Sequence, residues 1–118
     1  MIYCKRVYDE ASPDDGKRVL VDRLWPRGIR KANLKMDEWC KEASPSTPLR
    51  QWYHQDMSQQ DEFRARYTAE LAAYPEHCAP LLAYARAGDL TLLYGARDPV
   101  FNHAVVLADY LRSQLQQS

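Results

Sequence analysis

The chain has 118 residues, of which 46% are hydrophobic and 27% are charged, and this composition is typical of a globular protein with a single domain over residues 1–118. Its 16 basic residues balance 16 acidic ones, so net charge cannot attract a polyanion over long distances. Three widely spaced cysteines argue against a disulfide framework, and no apolar run approaches the roughly 20 residues that span a bilayer.

The first part of the sequence predicts strands separated by turns. Weak alternation with Val and Tyr predicts a strand over residues 2–8, and residues 12–16 carry turn chemistry throughout. The apolar run at residues 19–21 predicts a second strand over about 18–24, buried on both faces as in a parallel sheet covered by helices. Residues 36–42 fit a short helix or a third strand, and we favour the strand.

The middle of the sequence predicts two helices. Ser46 or Thr47 suits the N-cap of the first, with Pro48 in its first turn. Ser58 starts the second, because its hydroxyl and the Asp61 carboxylate form a capping-box-like pair. The aromatic and aliphatic stripe of this second helix is predicted to be core: Phe63, Tyr67, Leu71 and Tyr74.

The last part predicts a helix, a strand and a final helix. Pro80 begins the first of these helices and Gly88 ends it, and residues 90–94 form a clear strand. Asp98 as N-cap and Pro99 in the first turn predict the start of the final helix. Its predicted buried face consists of Phe101, Ala104, Val105, Ala108, Leu111 and Leu115.

These elements predict an α/β fold, in which one three-layer domain contains a small, mostly parallel sheet of three to four strands flanked by helices. In open α/β sheets, ligands bind in the crevice beyond the carboxyl ends of the strands. Residues 22–27 follow the second strand and combine a carboxylate, two arginines and a tryptophan. The candidate site therefore lies at this edge of the sheet.

The residue types at this edge suit a small anionic ligand that bears a phosphate or resembles a nucleotide. Arg23 and Arg27 can each grip a phosphate or carboxylate in two places. Asp22 would orient the arginines, or pair with one of them as a structural brace, and Trp25 offers a stacking face. These residues predict that the protein binds such a ligand. If the protein is an enzyme, the predicted reaction is hydrolysis or group transfer on that ligand.

Helix starts add further candidates, because unpaired backbone amides there favour anions. Ser46 lies at one such start, and Arg97 lies in the loop before another. Asn102 and His103 come early in the final helix, and helical spacing places His103 away from the apolar stripe, so Asn102 is better aimed. His103 with Asp22 remains the candidate acid-base pair, against the alternative of a surface histidine.

Several familiar motifs do not occur in the sequence. GxGxxG, GxxxxGK[ST], HExxH, paired CxxC and GxSxG are all missing, so we expect no cofactor and no metal. Residues 1–6 lack the apolar segment of a secretion signal, so we expect a cytoplasmic protein without membrane contact. The sequence predicts no particular oligomeric state.

Segments spread over nearly the whole chain resemble one family. The most specific reads Asp-Arg-Leu-Trp-Pro-Arg-Gly at residues 22–28, and others lie at residues 4–8, 91–94 and 102–108. On these segments the chain is similar to the YeaO-like proteins, a family of unknown function, and the resemblance implies an α/β fold and no established reaction. More distant relatives carry Cys-His-Arg where this chain has Asn102-His103-Ala104, so the resemblance implies no cysteine-based chemistry here.

Two other kinds of function stay open. A basic patch at residues 23–35 could make the protein a nucleic-acid-binding module, with Trp25 stacking on bases. Alternatively, the protein is an interaction domain without a ligand. Affinity for a polyanion would fall steeply with salt, whereas a pocket for one small anion would respond mildly.

Overall fold

The computed structural model describes residues 1–117, and it is built around one parallel sheet of four strands. The strands are β1 (Ile2–Arg6), β2 (Lys17–Leu20), β3 (Glu38–Trp39) and β4 (Leu90–Tyr94). Their order across the sheet is β1-β4-β2-β3, and every neighbouring pair is parallel. The predicted α/β class is confirmed. The strand favoured at residues 36–42 is confirmed at Glu38–Trp39, and a 3-10 turn follows at Lys41–Ala43.

Four α-helices pack on one face of the sheet. They are α1 (Thr47–Gln55), α2 (Gln60–Ala73), α3 (Ala79–Ala87) and α4 (His103–Gln116). All four contribute side chains to the larger core, which also takes up Leu90, Leu92 and Tyr94 from β4. Among residues 1–117, no helix has both the length and the apolarity needed to cross a membrane.

The opposite face of the sheet is covered by a different kind of layer. A smaller core joins Leu20 and Leu93 to side chains of the β2–β3 connection, including Trp25, Ile29 and Leu34. This connection contains only a short 3-10 turn at Lys31–Asn33. The third layer of the predicted fold is therefore made of turns. Proline at position 26 and the positive φ of Gly28 (78°) interrupt any helix there.

Strand β4 is the centre of the sheet, with all five residues buried. Its Leu92 pairs with Cys4 on one side and with Val19 on the other. Strand β2 ends at Leu20, earlier than predicted, although the Val21 amide still donates to the Leu93 carbonyl at 3.0 Å. The carboxyl ends of β1, β4 and β2 thus meet at one edge.

Two of the predicted helix starts are right and two are wrong. Ser46 caps α1 as predicted, since its Oγ accepts a hydrogen bond from the Leu49 amide, and α3 spans the predicted segment. Helix α2 begins at Gln60, because the Ser58 hydroxyl donates to Asp56 at 2.6 Å and caps nothing. Tyr74 lies beyond the end of α2 and is exposed, so its predicted place in the core is wrong.

The start of α4 also differs from the prediction. Asn102 is the N-cap, and its Oδ1 accepts from the Val105 amide at 3.0 Å. The Asp98 carboxylate instead accepts from the amides of Val100 and Phe101, which fixes a separate turn before the helix. Phe101 therefore lies outside α4 and is 50% exposed, which corrects its predicted place in the core.

Candidate functional site

A cleft of about 520 Å³ opens at the edge where the carboxyl ends of β1, β4 and β2 meet. It is bounded by the residues that follow these strands, by one side of α1 and by the start of α4. The polar and aromatic side chains in its lining are Tyr8, Asp22, Arg23, Trp25, Arg27, Ser44, Arg50, Tyr53, His54, Phe63, Arg97, Phe101, Asn102 and His103. Seven of the predicted site residues are in this lining, and Ser46 is not.

Asp22 anchors the floor of the cleft. Its Oδ2 accepts a hydrogen bond from the Gly95 amide at 2.8 Å, which joins the end of β2 to the end of β4. A Cβ at position 95 would lie 2.9 Å from this oxygen, so glycine permits the approach. The other oxygen, Oδ1, is 3.0 Å from His103 Nε2. Asp22 is thus held by the Gly95 amide and lies beside His103. The alternative in which it pairs with an arginine as a structural brace is wrong for the described residues.

His103 is the first residue of α4 and turns toward the sheet. Its Nε2 lies 3.0 Å from the Val21 carbonyl and 3.0 Å from Asp22 Oδ1. Both neighbours are acceptors, so Nε2 carries a hydrogen. That hydrogen is aligned with the carbonyl, and Asp22 Oδ1 is buried without an aligned donor among residues 1–117. The side chain is only 16% exposed, so the alternative of a surface histidine is wrong.

Asn102 uses both ends of its amide within the protein. Its Oδ1 caps α4, and its Nδ2 donates to the Asp98 carbonyl at 2.9 Å. The residue is buried. It therefore holds the start of α4 at the cleft, where the positive end of the helix dipole faces the cavity.

The arginines of the cleft differ in how they are held. Arg23 donates through Nε to the Pro45 carbonyl at 3.1 Å and is half-buried. Arg27 and Arg97 are exposed, and Arg50 projects from α1. Within the described part of the chain, none of the four forms an ion pair with an acidic side chain. Arg27 and Arg97 are thus open to an anion from solvent, whereas the guanidinium of Arg23 also donates to the backbone before α1.

The loops that carry the exposed arginines are themselves fixed. Tyr8 donates through its hydroxyl to the Arg27 carbonyl at 2.9 Å, and Arg6 donates through Nε to the Ala96 carbonyl at 3.0 Å. Both bonds cross from β1 and its end to a neighbouring loop. The positions of Arg27 and Arg97 are therefore set by the backbone even though their side chains are exposed.

Trp25 lines the cleft and is held by contacts within the protein. Its Nε1 donates to the Ile29 carbonyl at 2.6 Å, and its ring meets Trp39 edge-on with centroids 5.4 Å apart. The Lys41 ammonium lies 4.1 Å from the Trp39 ring centroid, and Lys31 lies 5.8 Å from that of Trp25. Within the predicted basic patch at residues 23–35, the ring of Trp25 is therefore approached by the protein's own Lys31.

Ser46, which does not line the cleft, is bonded to a carboxylate of the protein. Its Oγ donates to Glu70 at 2.5 Å, and its amide donates to the same carboxylate at 2.9 Å. A carboxylate thus already lies at the start of α1, where the helix dipole favours it.

The sequence did not predict several of the residues that line the cleft. Arg50 and His54 lie four residues apart on α1 and so share one of its faces. That spacing was visible, but nothing in the sequence placed this face at the strand ends. Tyr53, between them in sequence, is buried, and burial together with the Asp98 charge raises its pKa, so its hydroxyl stays protonated at neutral pH.

Charge in the lining is strongly one-sided. Four arginines face one carboxylate, Asp22, which is itself engaged with Gly95 and His103. In residues 1–117, no three His, Cys, Asp or Glu side chains are grouped as they would be around a metal ion. The chemistry that this lining favours is the attraction of an anion.

Comparison with known proteins gives a consistent family. Residues 1–118 match the model of a family described as "Inactive DUF488-N3 subclade". The chain is 53% identical over 112 residues to "Uncharacterized protein YeaO" of Escherichia coli K12, covering 95% of this chain and 97% of that one. It is 42% identical over 113 residues to "Uncharacterized protein Rv3073c" of Mycobacterium tuberculosis, covering 92% of each. No solved structure matches the chain. The resemblance to the YeaO-like proteins is confirmed.

Proposed function

The chain belongs to the family described as the inactive DUF488-N3 subclade, and from this premise we propose that its cleft binds a small anionic ligand, phosphate-bearing or nucleotide-like, without transforming it. One observation carries the proposal: four arginines line a single cleft and none of them forms an ion pair within residues 1–117. Guanidinium groups that converge on one cavity concentrate positive potential there and bind phosphate or carboxylate through paired hydrogen bonds.

Asp22 offsets only one of the four positive charges of the lining. One of its oxygens accepts from the Gly95 amide, and the other is buried beside His103. An arriving anion would therefore meet Arg27 and Arg97 at the opening, with the dipole of α4 behind them.

Binding without turnover is supported by the state of the candidate catalytic groups. His103 Nε2 is held by the Val21 carbonyl and Asp22, and Asn102 is fully used as a cap. No cysteine lines the cleft. Burial raises the pKa of Cys4 and of Cys78 to about 11 and that of Cys40 to about 12, so these thiols stay protonated at neutral pH. Asn102 and His103 are thus engaged within the protein, and the three thiols are protonated.

Thermal unfolding with inorganic phosphate and with adenosine monophosphate tests the proposal. A ligand at one hundred times its Kd should stabilise the protein by about 2.7 kcal/mol. Arg27→Ala should abolish most of this stabilisation, and Arg27→Lys should restore only part of it, because an ammonium cannot make paired bonds. Arg86→Ala is the matched control, since Arg86 is exposed on α3 and lies outside the cleft.

Three outcomes would count against the proposal. The first is that neither anion stabilises the protein, and the second is that Arg86→Ala weakens binding as much as Arg27→Ala does. The third is release of product from adenosine monophosphate or p-nitrophenyl phosphate at a rate that depends on His103, which would restore the reading as a hydrolase.

The nucleic-acid-binding alternative is separated by a second measurement. Arg30 belongs to the basic patch at residues 23–35 but does not line the cleft. Binding of a single-stranded oligonucleotide that falls steeply with salt and depends on Arg30 would favour a polyanion partner. A mild salt dependence that requires Arg27 and not Arg30 agrees with a small anion.

A further inference from the structure

The opening of the cleft is apolar as well as positively charged. Among residues 1–117, eight large apolar side chains are exposed, and four of them line this one cavity. These four are Tyr8 (47% exposed), Leu24 (63%), Met57 (50%) and Phe101 (50%). Isolated apolar side chains on a surface are ordinary, but their concentration around one concave site is a mark of a ligand-binding groove.

Hydrogen bonds fix the backbone turns that carry two of these side chains. Phe101 lies in the turn fixed by Asp98, whose Oδ1 accepts from the Val100 and Phe101 amides at 2.9 and 3.1 Å. Met57 lies in a similar turn, in which Asp56 Oδ1 accepts from the amide and the hydroxyl of Ser58 at 3.0 and 2.6 Å. Both apolar side chains are therefore presented by ordered turns.

The apolar and the charged side chains come from the same loops. Leu24 and Arg27 follow β2, and Arg97 and Phe101 lie between β4 and α4. An inorganic anion or a sugar phosphate would use only the arginines and leave the apolar groups in water. A ligand with a flat apolar body attached to its anionic group would bury both kinds of surface at once.

We propose that the ligand of this cleft is an aromatic anion, in which a ring is attached to a phosphate or carboxylate group. The inference rests on the proposed function and names the chemical class of its ligand. The anionic group lies against the arginines, and the ring lies against Phe101, Leu24 and Met57. Because two of these three side chains are flexible aliphatic groups, they can adapt to one ring or to two fused rings.

Phenyl phosphate and methyl phosphate provide a matched pair of probes, because they share the anionic group and differ in the ring. Calorimetric titration should show that phenyl phosphate binds about tenfold more tightly, as expected for burial of part of one ring. Phe101→Ser should bring the ratio of the two affinities toward one and leave methyl phosphate unaffected. Arg27→Ala should weaken both probes and preserve the ratio.

Two further variants keep the test informative. Met57→Ser changes a lining residue in a separate turn, so it reports on the ring site even if Phe101→Ser perturbs the start of α4. Tyr74→Ser is the matched control, since Tyr74 is an exposed aromatic residue outside the cleft. It should leave the ratio of affinities unchanged.

The two proposals fail in distinguishable ways. Equal affinity for the two probes, with both dependent on Arg27, would overturn the aromatic ligand and leave anion binding intact. Failure of both probes and of inorganic phosphate to bind would overturn both proposals. Equal affinity for phenyl phosphate and phenol would show that the ring binds without its anionic group, and would also overturn both.

Discussion

Strand β2 has an aspartate at each end, and the two are used differently. Asp15, just before the strand, is buried and accepts from Lys5 at 3.2 Å, from the Arg18 side chain and from the Ser12 amide at 3.0 Å. Asp22, just after it, has one aligned donor, the Gly95 amide, and His103 beside it. The first carboxylate is surrounded by cations that it neutralises.

At the second carboxylate, the cations of the same cleft are unpaired within residues 1–117. Arg27, Arg50 and Arg97 share the cleft with Asp22, yet none of them forms an ion pair within residues 1–117. A structural cluster satisfies its charges internally, because unpaired buried charge is costly. A binding site leaves its charges for the ligand. This contrast separates the two ends of β2 more clearly than composition does, since both ends contain Asp and Arg.

The largest effect is expected at the structural end. Asp15→Ala would leave the buried Arg18 guanidinium without its carboxylate partner, and we expect the free energy of unfolding to fall by about 3–5 kcal/mol. Urea denaturation measures this. Asp14→Ala is the control, because Asp14 is exposed and should change stability by less than about 0.5 kcal/mol. Equal losses in the two variants would refute the contrast.

Part of the stability that Asp15 contributes should depend on pH. Burial raises the pKa of Asp15, but hydrogen bonds from Ser12, Lys5 and Arg18 outweigh it and hold the pKa below its ordinary value. The resulting stability is complete above an unfolded pKa of about 3.9 and is lost as pH falls through the lower folded value. The stability difference between the native protein and Asp15→Asn should therefore be constant above about pH 5 and shrink as pH falls below about 4 in urea titrations. A difference that stayed constant at the lower pH as well would contradict this assignment.

At the cleft end, Gly95→Ala should cost about 2 kcal/mol. The new Cβ would lie 2.9 Å from Asp22 Oδ2 and displace a half-buried carboxylate from its amide donor. Gly88→Ala is the matched control, because nothing lies within 4 Å of a Cβ there and its φ of 171° is extended backbone. Urea denaturation of both variants gives the comparison. No difference between them would show that Asp22 needs no close approach to Gly95.

The N-cap of α4 should contribute less to the free energy of unfolding than the close approach at Gly95 does. Asn102→Ala removes the acceptor for the Val105 amide, and we expect a loss of about 1 kcal/mol in the free energy of unfolding. Asn33→Ala, in an exposed turn, should have almost no effect. If Asn102→Ala were as stable as Asn33→Ala, the helix would not depend on this residue for its start.

The smallest effect on stability is expected at Arg27. Its side chain is exposed and lacks an ion pair within the described residues, so Arg27→Ala should change the free energy of unfolding by less than about 0.5 kcal/mol. Arg18→Ala, by contrast, should cost several kcal/mol, because it strips Asp15 of a partner. Comparable losses from the two arginine variants in the same urea assay would remove the distinction between the ends of β2.

The sequence predicted the place of the cleft because one short segment carries most of the signal. Asp22, Arg23, Trp25 and Arg27 directly follow a buried strand, and parallel sheets bind ligands at that end. Glycine at 95 and the α4 start follow the adjacent strand, so the topology brings them together. These predictions rest on local pattern and on one general rule of sheet architecture.

The sequence could not show which of two suitable residues caps the final helix. Asp98 and Asn102 are both good cap residues, and the structure uses the first for a turn and the second for the helix. That choice lets His103 reach the Val21 carbonyl, a contact between residues far apart in sequence. The face of α1 that lines the cleft was equally hidden, since packing alone determines it.

The central position of β4 also affects how the chain folds. Ile2 and Lys17 both pair with Leu90, so β1 and β2 have no direct partner in each other. The sheet forms only after a long stretch of polypeptide has been brought back on itself, and such distant pairings make folding slow. Until β4 pairs with them, the apolar residues of β1 and β2 stay exposed to solvent. During synthesis, the sheet can therefore form only after its last strand has been made.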